Sequence, residues 1–295
     1  MTIIVIGKTG QLAQELKLLD DNVVCLGRSE VNITDPENLN STLNKYDVAG
    51  IINASAYTAV DKAESEQQQA FEINASAVEN LAKVAKQKAV PFVHVSTDYV
   101  FSGDKGSPYQ VDEVHAPIGA YGASKAAGEK AIQQYAAEVS CIIRTSWVYS
   151  QFGNNFVKTM LRLMAEKPEL GVIDDQIGSP TFAKALAHAC LYAVNHKVTG
   201  VHHFTDSGVC SWYDFALAIQ ELAIKHGLLE KPIPVKPIPT SAYPTPAKRP
   251  SYSVLDKSTL KDAFNGLQPK HWRNELEIVI QQLATQKQLK DMKND

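Results

Sequence analysis

The chain begins with a short apolar run that breaks into a glycine turn and then continues as a helical pattern. Glycines at such a turn let the backbone bend tightly and approach a pyrophosphate, and the N–H groups of the helix's first turn face that anion. Ala13 stands where the full dinucleotide fingerprint has a third glycine, so the turn alone does not exclude an ordinary strand-to-helix connection. The residues of this predicted phosphate-binding corner are Gly7, Gly10, Gln11 and Leu12.

A second pattern is a tyrosine and a lysine four residues apart, Tyr121 and Lys125, in a helical run. Such positions share one helix face. An ammonium group near a phenol favours the phenolate, so we expect the pKa of Tyr121 to fall from about 10 toward neutral pH, as suits a proton donor. The pair follows an apolar strand at 93–98, which places Thr97 at the strand's carboxyl end, where open α/β sheets bind ligands.

The apolar runs alternate with helical patterns, which predicts βαβ units and a parallel sheet. After about residue 147 this rhythm loosens, and an aromatic-bearing helix at 211–216 suggests a second, smaller domain. We therefore expect an α/β fold of Rossmann type, with a doubly wound parallel sheet. The predicted strands lie near residues 2–6, 22–26, 49–54, 91–96 and 139–144.

Residues 232–250 contain too many prolines for a helix or a central strand. Two interpretations stay open for this segment. It is either a plain surface connection or a rigid loop in a substrate cleft that presents Lys248 and Arg249 to a phosphate.

Composition argues against several other classes of protein. A net charge of −3 over 295 residues gives no broad basic surface for nucleic acid. No run approaches the roughly 20 apolar residues of a membrane span, and the first apolar run is too short for a signal peptide. The four scattered cysteines are expected to be reduced core residues of a cytoplasmic protein, and no histidine has an acid or cysteine spaced to complete a metal site.

Longer strings make the chain resemble the extended short-chain dehydrogenase/reductases and, among them, the dTDP-4-dehydrorhamnose reductases. The resemblance runs from residue 1 to about residue 275. The strings that carry it are NASAYTAVDKAE at 53–64, STDYVF at 96–101, RTSWVY at 144–149, NNFV at 154–157, DDQIGSPT at 174–181 and PTSAYPTPAKRP at 239–250.

The resemblance implies reduction of the C4 ketone of dTDP-6-deoxy-L-lyxo-4-hexulose to dTDP-L-rhamnose, a precursor of surface polysaccharides. It implies NADPH as the cofactor, with NADH as the alternative, and a cytoplasmic homodimer. It also implies a discontinuous substrate-binding lobe. The dinucleotide-binding domain would comprise 1–146 plus about 178–204, and the sugar-nucleotide domain about 147–177 plus 205–295.

The resemblance also assigns roles to individual residues. Tyr121 would donate a proton to the forming alkoxide, Lys125 would stabilise the tyrosinate and bind the nicotinamide ribose, and Thr97 would hydrogen-bond the carbonyl oxygen. The expected cofactor-binding residues are Gly7, Gly10, Gln11, Leu12, Arg28, Asn32, Ile33, Ala56, Tyr57, Thr58, Tyr121 and Lys125. The expected substrate-binding residues are Thr97, Asp98, Trp147, Asn155, Lys248 and Arg249. For Asp98 the alternative is a loop cap, and for Trp147 it is core packing.

The chain departs from the family pattern near the adenosine end of the predicted cofactor site. Many relatives carry an acid after the second strand, whereas this chain has Gly27-Arg28-Ser29. A guanidinium and a hydroxyl suit a 2′-phosphate, and we expect no acid there to repel it. Asn32 likewise replaces an aspartate. These changes favour NADPH, unless Arg28 points into solvent and both cofactors are used.

A second departure concerns magnesium, which some family members bind at an acidic dimer contact. Glu15 matches one ligand, but Lys184 stands where a second is expected. The sequence therefore places both the magnesium ion and the dimer contact in doubt, and we predict no metal site.

Two other functions are weighed against reduction. A sugar-nucleotide 4,6-dehydratase needs a second carboxylate next to the active-site threonine, and this chain has Thr97-Asp98-Tyr99 instead. Two further alternatives within the extended reductases are a 4-epimerase and a reductase of another sugar nucleotide. The last alternative is a non-catalytic regulatory subunit, as the β subunit of methionine adenosyltransferase is in this lineage, although Thr97, Tyr121 and Lys125 are all retained here.

Overall fold

The computed structural model describes residues 1–294, without the side chains of residues 290, 291, 293 and 294. The strands are β1 (Thr2–Ile6), β2 (Val23–Leu26), β3 (Val48–Asn53), β4 (Phe92–Thr97), β5 (Ser140–Thr145), β6 (Val148–Tyr149), β7 (Leu170–Ile173), β8 (Ile177–Gly178), β9 (Thr181–Phe182), β10 (Gly200–His203), β11 (Cys210–Ser211) and β12 (Val235–Ile238). The helices are α1 (Gln11–Leu19), α2 (Pro36–Leu43), α3 (Val60–Ala63), α4 (Gln67–Phe71), α5 (Ala77–Lys88), α6 (Ala120–Ala136), α7 (Phe156–Glu166), α8 (Ala183–Asn195), α9 (Trp212–Lys225), α10 (Leu260–Ala263) and α11 (Trp272–Asn294).

Six parallel strands form the central sheet, in the order β10-β5-β4-β3-β1-β2. The order reverses between β1 and β3, and open α/β sheets bind ligands at the carboxyl ends of the strands beside such a reversal. The predicted fold class, α/β with a Rossmann-type parallel sheet, is thereby confirmed. All five apolar runs form strands of this sheet, and the sixth strand, β10, lies beyond them.

Helices cover both faces of this sheet and bury its apolar side chains. On one face α1 and α8 pack together, with Leu16 and Leu186 in the core. On the other face α2, α5 and α6 contribute Leu39, Leu81 and Ile132. Because each strand is covered on both sides, its sequence is a nearly continuous apolar run.

A second apolar core lies outside the central sheet. It is built mainly from α7, α9 and α11, with Met160, Phe215 and Leu276 among its buried side chains. The predicted domain boundaries stay a prediction, and α10 packs with the first core through Leu260. None of the helices within residues 1–294 is long and apolar enough to cross a membrane.

The proline-rich segment pairs only at an edge. Its strand β12 lies parallel to β7 in a two-stranded sheet, and Pro237 sits within it. This agrees with the expectation that residues 232–250 form neither a helix nor a central strand, because proline lacks the N–H that a central strand needs.

Candidate active site

A cavity of about 1080 Å³ opens at the carboxyl ends of β1, β2 and β3. It lies beside the reversal of strand order, where a doubly wound sheet binds dinucleotides. The predicted cofactor residues that line it are Gly7, Gly10, Arg28, Asn32, Ile33, Ala56 and Thr58.

The two glycines of the first turn shape the floor of this cavity. Gly7 has φ +119°, and a Cβ there would lie 3.3 Å from the carbonyl carbon of Ala54. Gly10 is the N-cap of α1, and a Cβ added to it would meet no atom within 4 Å. Open space thus faces the helix's first turn, whose N–H groups have no intrahelical partners. A pyrophosphate fits this corner.

Gln11 and Leu12 begin α1 directly after Gly10, but neither lines the cavity. The side chain of Leu12 is buried in the first core. The amide of Gln11 donates to the carbonyl of Val148 at 3.3 Å and accepts from Asn155 Nδ2 at 2.9 Å. Both side chains are therefore engaged within the protein, and anion binding by their backbone N–H groups stays a prediction.

The end of the cavity predicted to bind adenosine contains an acidic residue, Glu30, that was not expected from the sequence. Glu30 lines the same cavity as Arg28 and Lys8. Its carboxylate accepts from the N–H of Gly27 and the hydroxyl of Ser29, both at 2.9 Å, and forms an ion pair with Lys8. The expectation of no acid here is wrong, because the turn after β2 folds back and carries Glu30 to Gly27.

Tyr57 does not line the cavity. Its hydroxyl donates to Glu66 at 2.5 Å, and its backbone N–H and carbonyl both bind the amide of Asn74, at 2.8 and 3.1 Å. The same amide donates to Ser124 of α6 at 3.0 Å. These bonds connect Tyr57 to α6, the helix that carries Tyr121 and Lys125, and the part of Tyr57 in cofactor binding stays a prediction.

Thr97, Asp98 and Tyr121 meet where β4 ends. The hydroxyl of Thr97 donates to Asp98 Oδ1 at 2.9 Å and accepts from the N–H of Tyr99 at 3.2 Å. The ring of Tyr121 meets the ring of Tyr99 edge-on, with centroids 5.6 Å apart. Asp98 is buried, and its Oδ2 has no hydrogen-bond partner among the described residues.

The pKa values of this cluster differ from the sequence-based expectation. Burial raises the pKa of Tyr121 above its ordinary value, and the nearby Asp98 and Tyr99 add to the rise. Burial lowers the pKa of Lys125 to about 8. The expected fall in the pKa of Tyr121 is therefore not found, and the Lys125 ammonium donates to the carbonyl of Val95 at 2.7 Å. Burial also raises the pKa of Asp98 to about 6.

Close backbone packing fixes the position of α6. A Cβ on Gly122 would lie 2.1 Å from the carbonyl oxygen of Tyr99, and one on Gly128 would lie 2.1 Å from that of Asn74. Only glycine fits at either contact. The carboxylate of Glu64 accepts from the first N–H of the helix, that of Ala120, at 2.8 Å, which suits the positive end of the helix dipole.

Trp147 lies at the entrance to the second core. It has φ +48°, a left-handed backbone that is unusual for an aromatic residue, and its ring stacks on Trp212 with centroids 3.5 Å apart. A Cβ on Gly178 would lie 2.7 Å from the Trp147 ring. The side chain therefore packs as the core alternative expects, and its contact with a sugar stays a prediction.

Of the other predicted substrate residues, Asn155 and Arg249 bind partners within the protein, whereas Lys248 is exposed to solvent. Asn155 caps α7 by accepting from the N–H of Lys158 at 3.1 Å, and it donates to the carbonyl of Ser150 at 2.7 Å. Arg249 donates to Asp61 at 2.7 Å and forms an ion pair with it. Lys248 is exposed. Arg249 Nη1 also donates to the hydroxyl of Tyr99 at 3.2 Å, so the proline-rich loop ends beside the Tyr99 and Tyr121 rings.

The described residues contain no group of three or more histidine, cysteine, aspartate or glutamate side chains able to hold a metal ion. Burial raises the pKa of Glu15, while a hydrogen bond from Ser150 at 2.8 Å and the charge of Lys184 act against the rise. A cation beside a single carboxylate is a poor setting for magnesium, so these residues do not fit the ion.

Four residues at or beside the candidate site were not predicted from the sequence: Lys8, Glu30, Asn53 and His94. His94 and Asn53 are buried, and they contact each other at 3.0 Å between Nδ1 and Nδ2. His94 Nε2 in turn lies 3.2 Å from Lys125 Nζ. The available signal was a polar side chain in an apolar strand, since a buried polar group needs a hydrogen-bond partner.

Comparison with known proteins places the chain in a family. The family model described as "RmlD substrate binding domain" matches residues 1–285. The dTDP-4-dehydrorhamnose reductase of Aggregatibacter actinomycetemcomitans is 41% identical, over 94% of this chain and 97% of that protein. The dTDP-4-dehydrorhamnose reductase of Escherichia coli strain K12 is 42% identical, over 97% of this chain and 99% of that protein.

A solved structure supports the same relationship. The dTDP-4-dehydrorhamnose reductase of Bacillus anthracis strain Ames, in complex with NADP, is 34% identical. Its TM-score is 0.88, over 95% of this chain and 99% of that one. On the match to residues 1–285, this chain belongs to the RmlD substrate binding domain family.

Proposed function

We propose that the protein uses NADPH to reduce the C4 ketone of dTDP-6-deoxy-L-lyxo-4-hexulose to dTDP-L-rhamnose. One observation carries the proposal: Thr97 and Tyr121 meet at the end of β4, Lys125 binds the carbonyl of Val95 in the same strand, and a dinucleotide-sized cavity opens at the neighbouring strand-order reversal. The family and the reductases that resemble this chain support the choice of substrate.

The lining of the cavity fits NADPH. Gly7 and Gly10 leave room for the pyrophosphate, and Lys8 and Arg28 supply positive charge at the adenosine end. Glu30 is held by Lys8, which limits its repulsion of a 2′-phosphate. When bound, the cofactor supplies a hydride from its nicotinamide C4 to the ketone carbon.

Tyr121 donates the proton that the reduced oxygen needs. Its raised pKa keeps it a phenol at neutral pH, and the alkoxide formed at C4 is a stronger base than the tyrosinate left behind. Lys125 has the lower pKa of the pair, so proton transfer from its ammonium to the tyrosinate is favourable. Tyr121 is therefore the direct acid, and Lys125 restores it.

Asp98 and Thr97 orient the sugar. The Thr97 hydroxyl is donated to Asp98 Oδ1, so the threonine reaches the ketone oxygen only by leaving that partner. The unpartnered Oδ2 of Asp98 is suited to accept a sugar hydroxyl. Lys248 is exposed at the end of the proline-rich loop, where it can reach a diphosphate. The second core, with Trp147 at its edge, would form the sugar-nucleotide lobe.

Replacing Tyr121 with phenylalanine tests the assignment. General acid catalysis contributes about 10²–10⁴-fold, so kcat for NADPH oxidation with the 4-keto-6-deoxy sugar nucleotide should fall by roughly that factor. NADPH binding, measured by fluorescence, should stay near normal. Tyr192→Phe is the matched control, because Tyr192 stacks on His196 away from the site. Retention of more than about a third of wild-type turnover would contradict the assignment.

The nucleotide base has a separate test. A ligand that binds the native state raises the melting temperature by mass action, so dTDP should stabilise the protein more than UDP or GDP at equal concentration. Equal shifts for the three would remove the thymidine preference while leaving the reductase assignment in place.

Family membership also supports a cytoplasmic location and a homodimer. Cell fractionation and sedimentation velocity measure the two directly, and a monomer at micromolar concentration would exclude the homodimer.

A further inference from the structure

A buried hydrogen-bond chain leads from β3 through β4 to the catalytic lysine. Its members are Asn53, His94 and Lys125, each no more than 1% exposed. The contacts are 3.0 Å between Asn53 Nδ2 and His94 Nδ1, and 3.2 Å between His94 Nε2 and Lys125 Nζ. The function proposed above uses Lys125 but neither of the other two residues.

At the start of the hydrogen-bond chain, the orientation of the Asn53 amide is fixed. Asn53 Oδ1 accepts from the backbone N–H of Ser55 at 3.1 Å and from the Ser55 hydroxyl at 2.7 Å. A backbone N–H can only donate, so the carbonyl oxygen of the amide must face Ser55. The Asn53 amide nitrogen therefore faces His94, and it donates to Nδ1.

This direction fixes the proton on the imidazole ring. Burial holds the pKa of His94 well below its ordinary value, so the ring is neutral. A neutral imidazole has one N–H and one acceptor nitrogen. Since Nδ1 accepts from Asn53, the N–H is on Nε2 and points at Lys125 Nζ.

At Lys125, the last member of the hydrogen-bond chain, the contacts favour the neutral amine over the ammonium. An ammonium at Lys125 would put its N–H against the N–H of His94, whereas an amine accepts that bond and still donates to the carbonyl of Val95. The other charge near Lys125 is Glu129 on the same helix, which favours the ammonium but is bound by Arg144 of β5. Burial and the hydrogen-bond chain thus both favour the amine of Lys125, whereas Glu129 favours the ammonium.

We propose that Asn53 and His94 are positioning residues that direct the Nε2–H of His94 at Lys125 Nζ, and that this contact favours return of a proton from Lys125 to Tyr121 in each turnover. The inference rests on the proposed reductase function. In the step, an N–H bond of the ammonium breaks and the O–H bond of Tyr121 forms. Lys125 is left as the amine, His94 donates to it, and water later returns the proton. The energetic gradient agrees, because burial sets the pKa of Lys125 near 8 and that of Tyr121 above its usual value.

The tautomer of His94 gives a test that does not depend on activity. In protein labelled with ¹⁵N-histidine, the ring nitrogen shifts of His94, assigned by comparison with His94→Gln, should show Nδ1 unprotonated and Nε2 protonated at pH 7. Protonation on Nδ1 would overturn the proposal. The measurement holds whether or not the protein reduces the proposed sugar.

The pH dependence of turnover gives the second test. In His94→Gln, an amide oxygen can accept from the ammonium, so the alkaline limb of kcat should move upward by about one pH unit, with a smaller change in KM for NADPH. Asn53→Leu, which keeps His94 but frees its tautomer, should move the limb in the same direction. His202→Gln is the control, because His202 is buried in the same sheet and contacts Thr259.

The outcomes separate the two proposals. The alkaline limb of the kcat–pH profile could stay within about 0.3 pH units of the wild-type limb in both variants. That result would overturn the role of the Asn53–His94–Lys125 hydrogen-bond chain. Absence of turnover in the wild type would refute the reductase function, and the tautomer measurement would still decide the geometry. His94→Gln and Asn53→Leu provide independent readings if one of them fails to fold.

Discussion

Replacing Glu129 with glutamine should destabilise the protein by about 3 kcal/mol. Glu129 and Arg144 are both buried, and the guanidinium binds the carboxylate through Nε at 3.0 Å and Nη2 at 2.7 Å. Burial alone would raise the pKa of Glu129, but hydrogen bonds from His115, Arg144 and Ser96 and the charge of Arg144 lower it to about 2. A fall from 4.5 to about 2 corresponds to about 3 kcal/mol of stabilisation in the charged form.

Urea unfolding at pH 7 measures this loss, with Glu221→Gln as the control. Glu221 pairs with Arg273 at 2.5 Å on the surface, so its loss should cost at most about 1 kcal/mol. Because the folded pKa of Glu129 lies below the unfolded one, its stabilisation is complete above pH 4.5 and disappears as the pH falls through about 2. The difference in the free energy of unfolding between wild type and Glu129→Gln should therefore decrease as the pH falls from 5 to 3. A loss below about 1 kcal/mol at pH 7, or a gap that does not change with pH, would refute this reasoning.

Three further predictions follow from the cavity and from a buried acid. Gly10→Val should fold normally, since a Cβ there meets no protein atom, and should lose NADPH and NADH binding together; unchanged fluorescence titrations would refute the phosphate corner. Arg28→Ala should weaken NADPH binding by roughly 1–3 kcal/mol and hardly change NADH binding, whereas equal losses for both would assign Arg28 a structural role. Burial raises the pKa of Asp206 to about 8, so its stabilising proton is bound at low pH and lost as the pH rises through that value. Asp206→Asn should therefore raise the melting temperature more at pH 8 than at pH 5, and an equal change at both would contradict the buried-carboxylate argument.

The fold was predictable where burial leaves a simple pattern. Strands covered on both faces are runs of apolar residues, and all five such runs form parallel strands of the sheet. The edge strand β10 is only four residues long and ends in His202 and His203, so it lacks that pattern. The aromatic-bearing helix at 211–216 was recognised correctly as the start of α9, whose N-cap is Ser211.

The site was predictable to the level of spacing but not of side-chain direction. The four-residue separation of Tyr121 and Lys125 fixes their common helix face whatever else the chain does. The partners of Lys125, His94 and Val95, lie on β4, 31 and 30 positions away in sequence, and no spacing rule encodes these contacts. Glu30 escaped for a related reason, since a tight turn decides whether a side chain next to a site points into it.

The ion pair between Arg249 and Asp61 joins residues 188 positions apart, and it ties the end of the proline-rich loop to α3, which follows the cofactor-lining residue Thr58 within two positions. The loop is on the proposed sugar-nucleotide side and α3 is on the proposed cofactor side, so under this proposal one contact belongs to both binding surfaces. Linkage makes any resulting coupling reciprocal: the factor by which bound cofactor changes sugar-nucleotide affinity equals the factor by which the sugar nucleotide changes cofactor affinity. The free energy of the ternary complex is the same by either route, so a preferred order of binding would be a kinetic property and not an equilibrium one.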